Sequence, residues 1–170
     1  MKRLCLLRHA KAKRGAMPDV ERPLTKRGRH AAALMGECMH RSGFAPDRVL
    51  CSPAQRTEQT WTLLNRRLKL AGEPERPQGL YGASSAALLE HIRALPDTAA
   101  TVMVIGHNPG LENLARELAG PGSNQAGLAA MAEKFPTAAL AVFEIDAAAW
   151  RELRPGGARL VHFIRPADLA

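Results

Sequence analysis

The sequence predicts an α/β fold: a three-layer sandwich with a mostly parallel central sheet, one antiparallel edge region, and helices on both faces. Three observations point there. The runs Leu4–Leu7 and Thr101–Ile105 lack the period-2 alternation of a half-exposed strand and read as strands buried on both faces. Between such runs lie stretches whose apolar residues recur at helical spacing. Two late strand-like segments are separated by Gly156-Gly157, a turn signal that suits an antiparallel edge.

The first strand, within KRLCLLRHA, ends abruptly in Arg8-His9. In open α/β sheets the carboxyl ends of the strands border the crevice where ligands bind. Lys11 to Pro23 is a polar loop leaving that edge, with Asp19, Glu21 and Arg22 near its end. Leu24-Thr25 supplies a hydrophobic staple and an N-cap. Ala31, Leu34, Met35 and Cys38 then fall at i, i+3, i+4 and i+7, predicting a helix from Thr25 to Arg41 that stops at Ser42-Gly43. Arg48 to Cys51 is a second strand. Ser52-Pro53 leads into a helix with Trp61, Leu64 and Leu68 inward and Arg56 in its first turn, where the positive end of the helix dipole favours an anion.

After a Gly/Pro/Glu connector, Gln78 to Tyr81 reads as a short strand, and Ser84 or Ser85 caps a helix that buries Leu88, Leu89, Ile92 and Leu95. The β-branched strand Thr101–Ile105 ends in Gly106-His107-Asn108-Pro109, with Asn108 as N-cap and Pro109 as first residue of a helix running to Ala119. Gly120 to Pro136 is loop-like with a short Ala-rich helical turn. Ala139–Ile145 and Arg159–Ile164 are the last two strands.

With 170 residues and 46% hydrophobic content, the chain suits a single domain spanning 1–170. A formal charge of +8 and a pI near 10.1 suit an anionic partner, or a solvated basic surface. One Tyr, four Phe and two Trp offer no base-stacking platform, so nucleic acid is not the expected partner. The three cysteines, Cys5, Cys38 and Cys51, form no CxxC pair and point to a reducing compartment. The apolar run at the N-terminus is too short for a signal peptide and none is long enough to span a bilayer, so a cytoplasmic location without membrane attachment is expected.

Three predicted strand ends therefore carry Arg8-His9, Ser52-Pro53 leading to Arg56, and Gly106-His107-Asn108. Two imidazoles and two guanidiniums at one edge suit a tetrahedral dianion such as a phosphoryl group. A metal site on His9 and His107 would lack a third ligand at a recognisable spacing. Cys51 to Arg56 encloses one residue too few for a thiolate phosphate loop, so Cys51 reads as a buried strand end. His30, His40, His91 and His162 receive no role.

Here the residues resemble the histidine phosphatase superfamily, also called phosphoglycerate mutase-like, whose signature is Arg-His-Gly after the first strand. Within it the chain is most similar to the short phosphohistidine phosphatases of the SixA type. The likeness covers LLRHA, Arg22-Pro23-Leu24-Thr25, Ser52-Pro53-x-x-Arg56-x-x-x-Thr60, Gly106-His107-Asn108-Pro109 and Phe135-Pro136-Thr137.

The resemblance implies a metal-independent phosphatase without a cofactor, in which His9 attacks phosphorus and a phosphohistidine forms and is hydrolysed to inorganic phosphate. Arg8, Arg56 and His107 would hold the phosphoryl oxygens, with Arg22 and Asn108 as further substrate contacts. The neighbouring guanidiniums should keep His9 neutral and nucleophilic, while a phosphate dianion would favour a protonated His107. The expected substrate is phosphohistidine in a protein; the alternatives are a phosphomonoesterase or mutase acting on a small sugar phosphate, or a non-catalytic phosphate-binding module. A monomer is expected.

Two departures bear on this. Ala10 stands where the family commonly has Gly, and an ordinary negative φ is expected there, because a Cβ at positive φ would cost about 1 kcal/mol or more. The connector before the Leu88 helix leaves no large helical insertion to supply a lid or its carboxylate. Asp19, Glu21 and Glu112 are the candidate acids, each otherwise a solvated loop charge or a helix-dipole partner. A phosphoramidate tolerates a weak acid, since a protonated imidazole leaves far more readily than an alkoxide.

Overall fold

The structure, a computed structural model, describes residues 1–169. Five strands, β1 (Lys2–Arg8), β2 (Arg48–Cys51), β3 (Thr101–Gly106), β4 (Leu140–Ile145) and β5 (Arg159–Ile164), form one mixed sheet in the order β2-β3-β1-β4-β5. Five helices accompany them: α1 (Lys26–Ser42), α2 (Gln55–Leu68), α3 (Ser85–Arg93), α4 (Gly110–Leu118) and α5 (Gln125–Glu133). Among the described residues, no helix is long and apolar enough to cross a membrane.

The strands carry little alternation because both their faces are buried. Leu4, Leu6, Val102, Val104 and Phe143 join a core with residues of α3 and α4, including Leu88, Ile92, Leu111 and Leu114. The residues between them, Cys5, Leu7, Met103, Ile105 and Val142, join a second core with Met35 and Met39 of α1 and Trp61 and Leu64 of α2. Each such side chain taken wholly out of water contributes about 1.5–3 kcal/mol, which is why these runs hold the sheet together.

The expected mostly parallel sheet is corrected to an evenly mixed one. β1 pairs in parallel with β3, and β3 with β2, whereas β4 lies antiparallel to both β1 and β5. The antiparallel element is thus no mere edge: β4 sits directly beside β1. Ala138, at φ 62°, turns the chain there, its N–H donating to the carbonyls of Arg8 (3.1 Å) and His9 (3.0 Å).

The helix boundaries follow local chemistry. Thr25 caps α1 by accepting from Gly28 N at 2.9 Å, and Gly43 at φ 69° ends it. Ser84 caps α3 at 3.2 Å. Three expectations change. Gln78–Leu80 is a 3₁₀ turn, not a strand, because Leu80 and Tyr81 donate back to Pro77 and Gln78. The Ala-rich turn is the full nine-residue helix α5, capped by Asn124 accepting from Gly127 N at 2.7 Å. α4 begins at Gly110 rather than at Pro109, and Asn108 does not cap it, because its side-chain amide is drawn to the Phe135 carbonyl (3.1 Å); the Asn108-Pro109 peptide is cis. Gly110 also has a reason to be glycine: a Cβ there would sit 2.0 Å from the carbonyl oxygen of Ala83. That close approach brings the Tyr81–Ala83 segment against the start of α4.

Candidate active site

The site begins in the sheet register. Arg8 lies opposite Gly106, and Cys51 opposite Ile105, so the residues that follow three parallel strands emerge at one edge. Two further ladder bonds extend past the strand ends: His9 N to Gly106 O (3.1 Å) and Ser52 N to Ile105 O (3.1 Å). His9 and His107 consequently face each other with ring centroids 5.3 Å apart and planes inclined by 54°. Both are buried, as is Arg56 in the first turn of α2.

His9 is oriented by its own chain. Its Nδ1 lies 2.7 Å from the carbonyl oxygen of Ala10, which can only accept, so Nδ1 carries the proton and Nε2 keeps its lone pair. Burial, with His107, Arg56 and Arg8 adding like-charge repulsion, pushes the imidazole pKa down to about 3 against the opposing Ala10 bond. The ring is therefore neutral at physiological pH. Ala10 itself is wholly buried, has an ordinary negative φ, and donates its N–H to Thr60 Oγ1 at 3.0 Å. Thr60 in turn donates to the backbone carbonyl of Arg56 at 2.7 Å, tying the residue after His9 to the helix that carries the guanidinium.

His107 is held differently. Its Nε2 is 2.7 Å from the hydroxyl of buried Ser52, leaving Nδ1 buried and without a protein partner. Burial first, then the positive charge of Arg56, pushes its pKa down to about 4, so it too is neutral when no anion is present.

The guanidiniums are each anchored at one end. Arg8 donates from Nη1 to the Phe135 carbonyl (2.9 Å), which also accepts from Asn108 Nδ2 (3.1 Å). Arg56 donates from Nη1 to the Asp19 carbonyl (2.8 Å) and from Nη2 to Asp19 Oδ2 (3.1 Å). In both, Nε is buried with no protein acceptor. A buried donor on a charged group left unpaired costs about 1–3 kcal/mol or more, so these atoms, with His107 Nδ1, mark where an anion's oxygens would be accepted.

Asp19 lies in a 3₁₀ turn (Asp19–Glu21) and gathers Arg56, Arg22 (Nε to Oδ1, 2.9 Å) and the Tyr81 hydroxyl, which donates to Oδ2. These donors, the Tyr81 hydroxyl foremost, hold its carboxyl well below the usual carboxylate range. Arg22 is also tied to the Lys13 carbonyl at 3.0 Å. Of the other acid candidates, Glu21 is exposed on the same turn, and Glu112 is engaged by Arg116 at 2.8 Å and by Asn108 at 3.4 Å.

Tyr81 was not singled out by sequence reasoning, yet it stands edge-on to His107 with centroids 5.6 Å apart and lies 6.0 Å from the Arg56 guanidinium. The available signal was its position as the chain's single Tyr directly before a glycine. Cys51 is buried, its thiol pKa pushed up by desolvation, and it donates to the Ser52 carbonyl, an environment opposed to a reactive thiolate.

Comparison with known proteins agrees with the geometry. The family model of the histidine phosphatase superfamily (branch 1) matches residues 4–80. An uncharacterized protein of Mycobacterium tuberculosis (strain CDC 1551 / Oshkosh) is 36% identical over 162 residues, covering 94% of this chain and 99% of its own. A structure provisionally assigned as phosphohistidine phosphatase SixA from Nakamurella multipartitia superposes with a TM-score of 0.81 at 31% identity, covering 97% of this chain and 96% of that one. The protein histidine phosphatase SixA complexed with tungstate gives a TM-score of 0.81 at 27% identity, with 99% of each chain covered.

Proposed function

The chain belongs to the histidine phosphatase superfamily, and on that premise we propose that its 170 residues form one phosphatase domain that uses His9 as nucleophile and takes phosphohistidine in a protein as substrate. The observation that carries this reading is the pairing of a neutral His9, its Nε2 lone pair free, with two guanidiniums, Arg56 buried and Arg8 half-buried, whose buried Nε atoms have no protein acceptor.

In the proposed reaction, His9 Nε2 forms a bond to phosphorus as the bond from phosphorus to the substrate imidazole breaks. The departing imidazole keeps the electron pair of that bond and is released neutral because its other ring nitrogen is protonated. Water then attacks phosphorus from the opposite side, its proton passes to solvent, and the His9–phosphorus electron pair returns to Nε2 as inorganic phosphate leaves. Arg8, Arg56 and a protonated His107 bind the equatorial oxygens, where charge stabilisation supplies the main catalytic contribution. His107 gains its proton on substrate binding, since a dianion opposes the desolvation that keeps the ring neutral in the free protein. Ser52 then accepts from Nε2 and leaves Nδ1–H for the phosphoryl group. Asn108 and Arg22 serve as secondary substrate contacts in this scheme.

Asp19 serves in this scheme as the clamp on Arg56 rather than as a proton source, because an ionised carboxylate has no proton to give. The phosphohistidine substrate class rests on that lack of a ready acid. A small sugar phosphate, whose alkoxide needs protonation, is the second reading, with Glu21 and Glu112 the remaining acids for it.

The test is acid-quench and alkali-quench labelling with a phosphorus-labelled phosphohistidine peptide. The expected result is label on His9 that survives alkali and is lost in acid, absent in His9→Ala, with the peptide consumed faster than a phosphomonoester. Failure to trap label from any donor, together with unchanged turnover by His9→Ala, would remove the covalent route.

A further inference from the structure

Met1 aside, the large apolar side chains most exposed among the described residues are Met17, Val20 and Tyr81, at 37%, 41% and 38%. Single exposed apolar residues need no explanation. These three, however, share one location. Met17 and Val20 flank Asp19 in the chain, and Tyr81 donates to Asp19 while standing edge-on to His107. Tyr81 therefore borders the phosphoryl site, and Met17 and Val20 lie within two residues of the acid that grips Arg56.

The same segment concentrates charge. From Lys11 to Arg29 there are seven cations and two carboxylates, +5 of the chain's +8. The loop is a closed hairpin: Ala12 bridges Leu24, Lys13 N donates to Pro23 O (2.8 Å), and Thr25 N donates to Lys11 O (2.9 Å). Its two legs thus stand side by side, with exposed Lys11, Lys13 and Arg14 on the first and exposed Lys26 and Arg27 following the second at the start of α1. Among the described residues these five form no ion pair. They are also separate from the cations assigned to the phosphoryl group, so that group does not account for them.

We propose that this loop, with Tyr81, is a docking surface for an acidic protein: a partner whose phosphorylated residue is surrounded by carboxylates and a small apolar patch. The proposal rests on the phosphohistidine reading above and names the class of protein that presents it. A free small phosphate would use the buried clamp and leave both the apolar trio and the exposed cations idle. Nucleic acid is disfavoured because the single aromatic at the mouth is already engaged with Asp19. Exposed charges act chiefly on encounter, over a screening length of about 8 Å at physiological salt, so the surface should appear in kcat/KM and in its salt dependence.

The test compares two synthetic phosphohistidine peptides of equal length, one flanked by Asp, Glu and Leu and one by Gln and Ser, with phosphoramidate as a small donor. The expected result is a kcat/KM about tenfold higher for the acidic peptide at low salt, a gap that closes at high salt. Lys13→Glu/Arg14→Glu should abolish that preference and Met17→Ser/Val20→Ser should reduce it severalfold, both leaving phosphoramidate turnover unchanged. Equal rates on the two peptides, with phosphoramidate still hydrolysed, would overturn the docking surface and leave the phosphatase reading intact. Failure to hydrolyse either peptide or phosphoramidate would overturn both. Binding to phosphatidylserine vesicles that the same charge reversals abolish, without any peptide preference, would assign the loop to a lipid surface and overturn the proposal.

Discussion

Asp19 holds Arg56 twice, with its backbone carbonyl on Nη1 at 2.8 Å and its carboxylate on Nη2 at 3.1 Å. An exposed loop acid thereby orients a buried cation, while Tyr81 and Arg22 secure the acid in turn. Removal of the side-chain charge leaves the backbone half of this grip intact and weakens the other half from a charge-assisted to a neutral hydrogen bond.

Asp19→Asn should therefore tighten inhibition by inorganic phosphate severalfold, because a negative charge competing for Arg56 is lost while Nη1 stays anchored. On a phosphohistidine peptide kcat should fall by less than about tenfold, the range of a lost orienting contact. Steady-state kinetics on two substrates checks both: a loss of more than about a hundredfold confined to phosphomonoesters would mark Asp19 as a proton donor.

The two buried histidines make stability depend on pH in a defined direction. Their pKa values in the folded protein, about 3 for His9 and about 4 for His107, lie below the ordinary value of 6.5, so below pH 6.5 the unfolded chain binds more protons and folding loses stability as pH falls. The loss begins near pH 6.5 and continues towards pH 4, at about 1 kcal/mol per pH unit per histidine. Urea unfolding at pH 7 and pH 5 should show the drop, and His107→Gln should roughly halve it. A flat profile would mean that neither ring is held neutral.

Anion binding should reverse the sign at one of the two rings. With inorganic phosphate present, the His107 pKa should rise by about three units, from about 4 to near 7, while Nδ1 of His9 keeps its proton, since a dianion beside a buried imidazole favours the charged form. Nitrogen-detected NMR titration with and without phosphate resolves the two. Ser52→Ala should lower kcat about tenfold with little change in KM, as expected for loss of an aligning contact, and should blunt the phosphate-induced shift.

Ala10 offers a separation of stability from catalysis. Its φ is negative and its methyl is fully buried, so Ala10→Gly should destabilise the fold by about 1 kcal/mol while activity stays within about twofold. Thermal unfolding and peptide turnover measured on the same preparation check this. Equal stability, or a gain, would mean that the backbone at this position favours glycine after all.

Much of the site is legible along the chain because its parts are strand-end punctuation: Arg8-His9, Ser52 with Arg56, and His107 each follow or lie just beyond an apolar run, and parallel register brings such ends together. The same local chemistry identified the cap Thr25, narrowed the α3 cap to Ser84 or Ser85, and picked out the buried residues of α2 and α3; on α1 the expected stripe Ala31, Leu34, Met35 and Cys38 is buried only at Met35, because the helix turns Ala32, Gly36 and Met39 inward instead. Only tertiary structure decided that β4 lies beside β1, because strand pairing is a long-range choice that local periodicity does not encode. It also drew Asn108 away from the helix cap, since the Phe135 carbonyl reaches it from 27 residues away. Tyr81 depends on the close approach of Gly110 to Ala83, a contact with no local signature, and so does the surroundings of Asp19. KRLCLLRHA by itself determined that His9, the proposed nucleophile, follows a buried strand; which nitrogen bears its proton, and that the ring stays neutral, came from the Ala10 carbonyl and the burial that the folded sheet imposes.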